Sequence, residues 1–210
     1  MNDRGQAFTV EGLAAAILLL GTLVFALQAT GITALSAGTA GGAAELQQAD
    51  LARGVLSNAV ASETLKPSLL HWNDSYVGTD GNGTYHGTGD DGYYVAGMPT
   101  AFGASLDRTL ADAGYAYNVN VYYYNDSTAA DNATVVSRPL VEQGTPSDDA
   151  IRAVRTVTLY DDDVLFDSGE NSTDTTLAEA WNSSSFYIPD ASLSSPVYNV
   201  VQVEVVAWRL

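Results

Sequence analysis

The chain has 210 residues, no cysteine and a formal net charge of −17, from 25 acidic against 8 basic residues. Disulfide staples and thiolate metal sites are thereby excluded, and no basic patch exists to replace phosphate counterions, so nucleic acid is not an expected partner. Asp outnumbers Glu among the acids and Lys66 is the single lysine, a balance suited to salty surroundings where screening weakens self-repulsion; we read it as halophilic.

A polar head, residues 1–5, runs into Gln6-Ala7-Phe8-Thr9-Val10-Glu11 and then into an apolar run from Gly12 to Leu27 that continues weakly to Leu35. About 20 apolar residues cross a hydrocarbon layer, so 6–35 is predicted to form a transmembrane helix. Arg4 precedes the run and the next basic residue is Arg53. The positive-inside bias then predicts a single pass through the cell membrane, with a cytoplasmic N-terminus and an extracellular remainder. Two other readings fit the same residues: a plain anchor, and a secretory signal cleaved among the small residues around Ala34-Leu35-Ser36.

Glu11 separates these readings. A carboxylate in an apolar helix costs several kcal/mol, on the order of 3, unless it is neutralised or paired. Arg4-Gly5-Gln6-Ala7-Phe8-Thr9-Val10-Glu11 resembles the N-terminus of archaeal type IV pilins. The resemblance covers roughly residues 4–60 and the general order of helix first, sheet later. It implies removal of a 1–5 leader by a prepilin peptidase-like protease acting between Gly5 and Gln6. It also implies that Glu11 meets the amine of a neighbouring subunit and sets assembly register. Glu11 would be the sixth residue of the processed chain, one later than the family's usual position, which points to a minor or accessory subunit.

Beyond a glycine-rich hinge at 38–42, Ala44 to Leu65 places Leu46, Ala49, Ala52, Leu56, Ala59 and Val60 on one helical face. Pro67 is expected to end this extension, which occupies 36–66. The remainder, 67–210, is expected to be a β-rich head. Trp72 to Gly92 is dense in glycine and reads as loop. Ala104 to Ala113 reads as a short helix with Ser105 as N-cap and Gly114 as stop. Tyr115 to Tyr124, Thr134 to Val141, Ile151 to Tyr160 and Val197 to Leu210 alternate as strands, with Val201, Val203, Val205 and Ala207 on one side of the last.

The glycosylation triplet Asn-x-Ser/Thr occurs at Asn73, Asn82, Asn125, Asn132, Asn171 and Asn182, all after the apolar run. Asp161-Asp162-Asp163 with Asp167 is the candidate Ca²⁺ cluster, Asp161, Asp163 and Asp167 being its ligands. The loop Asp80 to Asp91 spaces oxygens like a calcium loop, but Tyr85 stands where that loop needs glycine. No other cofactor is expected. His71 and His86 are the only histidines and match no catalytic or metal-binding motif. His71, beside Trp72, is expected to pack where helix meets head.

The predicted fold is α+β: a long N-terminal membrane-spanning helix followed by an antiparallel β-sheet head packed on its outer half. With the resemblance, this implies a membrane-anchored extracellular pilin-like protein, not an enzyme. It would be a minor or accessory subunit with a structural or adhesive role, and its partners would be the membrane and other pilin-like subunits, met through the N-terminal helix. The alternative is a stand-alone single-pass surface glycoprotein acting as a binding module.

Overall fold

The computed structural model describes residues 49–75, 83–89, 91–125, 134–183 and 185–210. The chain divides into two units, Met1–Leu46 and Gln47–Leu210, and all described residues belong to the second. Its centre is a four-stranded antiparallel sheet in the order β4-β3-β8-β5. The strands are β3 (Tyr115–Tyr124), β4 (Val135–Glu142), β5 (Ile151–Tyr160) and β8 (Val197–Arg209). Two small ribbons accompany it: β1 (Trp72–Asn73) with β2 (Thr84–Tyr85), and β6 (Val164–Phe166) with β7 (Ser172–Thr176).

One face of the sheet carries the core. Side chains alternate along a strand, and Tyr117, Val119, Val121 and Tyr123 of β3 lie on the same face as Val201, Val203, Val205 and Ala207 of β8, nearly all fully buried. Helix α1 (49–61) packs there through Ala52, Val55, Leu56 and Ala59, the three-to-four spacing of an amphipathic helix. Each larger apolar side chain buried in this way contributes about 1.5–3 kcal/mol.

Helix α1 ends before Pro67. Glu63 adopts a left-handed backbone, φ 55°. The Thr64 N–H donates to the Ala59 carbonyl at 2.9 Å and the Glu63 N–H to that of Val60 at 3.1 Å, which closes the helix in a Schellman motif. A new helix, α2 (Leu65–Leu69), then starts, and Pro67 sits in its first turn, where an N–H has no intrahelical partner to lose. Helix α3 (Ala101–Thr109) begins earlier than Ser105: Thr100 is its N-cap, accepting from the Gly103 N–H at 3.2 Å. A short 3₁₀ turn, Ala111–Ala113, and Gly114 at φ 82° end it. Helix α4 (Leu177–Asn182) opens with a capping box of Thr176 and Glu179.

The fold is thus α+β with mostly antiparallel sheets. The predicted membrane-spanning component and the single-pass placement are corrected: among the described residues no helix is long and apolar enough to cross a membrane. The longest described helix, α1, falls short of the roughly 20 apolar residues a crossing needs, and it exposes Arg53, Ser57 and Asn58. The predicted span 6–35 and the hinge at 38–42 lie outside the described residues.

Candidate interaction face

The second face of the sheet is where structure and chemistry diverge from a simple solvated surface. In register across the sheet, Asn120 of β3 lies beside Glu204 of β8, which lies beside Val154 of β5. The next row is Ser137, Tyr122, Gln202 and Thr156. At the far end Val135 pairs with Tyr124, near Val200.

Glu204 is the only acid among the valines of β8, yet its side chain keeps just 9% of its exposure. Burial of that carboxylate is offset by three donors. The Arg152 Nη1 donates to Oε1 at 3.0 Å, and the Tyr122 hydroxyl and Asn120 Nδ2 donate to Oε2 at 2.9 and 3.3 Å. Burial raises the Glu204 carboxyl's proton affinity, but the Tyr122, Arg152 and Asn120 bonds outweigh it and hold it below the ordinary glutamate value. Burial, and after it the same contact with Glu204, pushes the Tyr122 phenol up.

Below this network the face is closed by residues 143–150. The Gln143 N–H donates to Asn118 Oδ1 and Asn118 Nδ2 donates to the Gly144 carbonyl, at 2.8 and 2.9 Å. This loop shelters a small second core of Ala116, Val206 and Trp208, with Ala150 against it. Above the network the face is open: Tyr124 and Val200 are 41% exposed and Val135 58%. Tyr122, Tyr124, Val135, Val200, Thr156 and Gln202 line a shallow depression of about 280 Å³ there. An apolar and aromatic patch beside a rigid polar network is a surface suited to contact.

A separate cleft of about 580 Å³ lies between the end of α1, α2, β5 and β6. Its walls are apolar apart from Thr156, Thr158, Glu63, Asp162 and the Lys66–Asp163 ion pair, whose Nζ to Oδ2 distance is 2.8 Å.

The residues singled out in the sequence are scattered. Gly5, Gln6, Glu11, Asn82 and Asn132 lie outside the described residues. Asn125, Asn171 and Asn182 are exposed and Asn73 is half-buried. The Asn171 side-chain amide is already engaged, donating to both Asp167 oxygens at 3.2 and 3.3 Å. The candidate Ca²⁺ ligands do separate tasks. Asp163 pairs with Lys66 and accepts from the Tyr160 N–H at 2.8 Å. Asp167 accepts the Gly169 and Asn171 N–H groups, which lower its pKa. Asp161 has one buried oxygen without a partner, and burial together with Asp190 and Asp162 raises its pKa. Among the described residues no three carboxylates or imidazoles converge as a metal cage.

Reading the sequence alone missed the Glu204 network. The signal available was one glutamate on the outward side of a valine-rich closing strand, opposite a strand with Arg152. It also missed Arg138, which opposes Val121 on the core face and stands over the rings of Trp72, Tyr187 and Tyr85 at 5.1, 5.4 and 5.9 Å.

These features define an α+β protein whose antiparallel sheet has a helix-covered face and a partly open, tyrosine-bearing one. The chain belongs to a family of unknown function, DUF7288, whose model matches residues 4–207. No curated protein and no solved structure matches it.

Proposed function

We propose that this protein is a non-enzymatic, pilin-like structural subunit, minor or accessory, of a type IV pilus-like assembly. The observation that carries the reading is the N-terminal motif. Gly5-Gln6 offers a prepilin-type processing point, and Glu11 precedes an apolar run that like subunits would pack together. The order of elements supports it: a helix with an apolar stripe, then a four-stranded antiparallel sheet laid against that stripe. The open end of the second sheet face, at Tyr124, Val135 and Val200, supplies surface that contact with a neighbour would cover.

Mass spectrometry of the mature N-terminus tests the proposal. A chain beginning at Gln6 is expected, together with loss of co-purifying assemblies in Glu11→Ala. A chain that retains Met1, with Glu11→Ala indistinguishable from the parent, would overturn it. The exposed tyrosine-bearing face favours one second reading, a stand-alone glycosylated binding module, and that reading predicts the retained Met1.

A further inference from the structure

Above the Arg152–Glu204 pair, the second sheet face carries no charge among the described residues. Each of the four strands contributes an exposed apolar or aromatic side chain to it: Val154 from β5, Val200 from β8, Tyr124 from β3 and Val135 from β4. Of the nine large hydrophobic residues that are exposed among those described, these four share one face. Between them stand Ser137, Gln202 and Thr156, neutral side chains that both donate and accept. Single exposed hydrophobics need no explanation, but a contiguous group on a chain of net charge −17 marks a contact surface.

The face is held ready for contact. Buried Asn199 ties the end of β3 to β8 just past the last paired residues: its Oδ1 accepts the Tyr124 N–H at 3.3 Å and its Nδ2 donates to the Tyr124 carbonyl at 3.0 Å. The Tyr122 hydroxyl is fixed by its bond to Glu204 at 2.9 Å. The Tyr124 backbone and the Tyr122 ring are thus positioned before anything binds, so less conformational freedom is lost on association.

We propose that this face pairs with the same face of a second copy of the chain, sheet against sheet. Two copies of net charge −17 repel each other, and an approach through this face sets no exposed carboxylate against another. A strongly charged partner finds no countercharge here, whereas an identical neutral face matches it. Pairing about a two-fold axis uses one patch twice, so valine and tyrosine meet valine and tyrosine, and the Ser, Thr and Gln side chains supply donors and acceptors to each other. Facing sheets interdigitate at a spacing of about 10 Å, and the depression of about 280 Å³ beside Tyr124 and Val135 receives side chains from across the contact. Four strands about 4.8 Å apart and three side-chain rows about 7 Å apart give roughly 400 Å² per copy, about 800 Å² in all. That is short of the roughly 1,200 Å² of a stable complex, so the pair is weak and forms where copies are concentrated. The pairing identifies the neighbour as the chain itself and does not depend on the N-terminal motif.

The absence of cysteine makes the test direct. Gln202→Cys places a single thiol at the centre of the face, and Asn58→Cys places one on an exposed position of α1, which covers the opposite face. Full chains carrying either thiol are treated with a bismaleimide of about 10 Å span, the spacing of stacked sheets. Gln202→Cys is expected to give covalent dimers in markedly higher yield than Asn58→Cys. Raising salt from about 0.1 to 1 M shortens the screening length from about 10 to 3 Å and is expected to raise that yield by weakening repulsion. Adding Val200→Asp, or separately Thr156→Asp, to Gln202→Cys is expected to abolish the dimer. Both positions are exposed, so the unfolding midpoint is expected to hold, and two separate variants guard against a local effect of either. Equal yields from the two thiols, a yield that falls with salt, or dimers that survive both aspartates would each overturn the pairing and leave the face to a partner other than this chain. A mature chain that retains Met1 would count against the pilin-like subunit and not against this face, whereas missing cross-links would count against the face alone.

Discussion

Arg152 reaches from edge strand β5 to Glu204 on central strand β8, Nη1 to Oε1 3.0 Å, and the two ends of this bond live in different solvents: the Arg152 side chain is 61% exposed and that of Glu204 only 9%. The pair is therefore asymmetric. Loss of the exposed arginine is screened and leaves Glu204 with Tyr122 and Asn120, whereas loss of the buried carboxylate strands donors on both neighbouring strands.

Arg152→Ala is expected to cost about 0.5–1 kcal/mol and Glu204→Gln about 1–2 kcal/mol at neutral pH, read from urea unfolding. The pH dependence has a definite sign. The folded-state pKa of Glu204 is depressed. Its contribution is thus fully present above the unfolded value of about 4.3 and is lost as pH falls through the lower folded value. The parent should lose stability across that acid window more steeply than Glu204→Gln. Parallel curves would show that other carboxylates govern acid unfolding.

Two helical glycines are expected to respond to alanine with opposite signs. In an open helix interior, Gly→Ala gains about 0.5–1 kcal/mol. A Cβ at Gly54 of α1 meets nothing within 4 Å, so Gly54→Ala should raise the thermal midpoint. A Cβ at Gly103 of α3 would collide with the backbone carbonyl of Met98, so Gly103→Ala should lower the midpoint, with a loss of stability of about 1–3 kcal/mol as an overpacked site. A gain in both variants would mean that α3 can shift away from Met98.

Glu63→Gly should stabilise the protein. Glu63 holds the left-handed position of the Schellman motif, where a side chain costs roughly 1 kcal/mol and glycine costs no such strain. Because the residue is exposed and its side chain lies at the rim of the cleft beside α2, the gain should appear as an unchanged denaturant slope with a higher midpoint. A lower midpoint would show that the side chain itself holds the end of α1.

Much of the sheet was legible in the residues. Tyr115 to Tyr124, Ile151 to Tyr160 and Val197 onward carry period-two alternation, and β3, β5 and β8 fall on these stretches, with Val201, Val203, Val205 and Ala207 buried as their common side predicts. The β1–β2 ribbon was not legible, because Trp72 to Gly92 has the glycine density of a loop. It forms because Trp72 and Tyr85 stack edge to face at 5.0 Å and Tyr187, more than a hundred residues on, packs against both. The start of α3 was misread for a similar reason: Thr100 caps it while the Ser68 hydroxyl donates to Thr100 Oγ1 at 2.9 Å.

From the sequence by itself came the acidic, cysteine-free character, the sheet-forming stretches, the apolar stripe of 44–65 and the N-terminal motif. Each is a local property, set by composition or by the period at which side chains leave one stretch of backbone. Tertiary structure decided that Glu204 is buried beneath Tyr122 and Arg152, that Asp161, Asp163 and Asp167 take up separate tasks, and that His71 meets His86. Those outcomes depend on strand register and loop closure, where a one-residue slip reverses every side chain's face, and no local pattern encodes which distant residue will stand opposite.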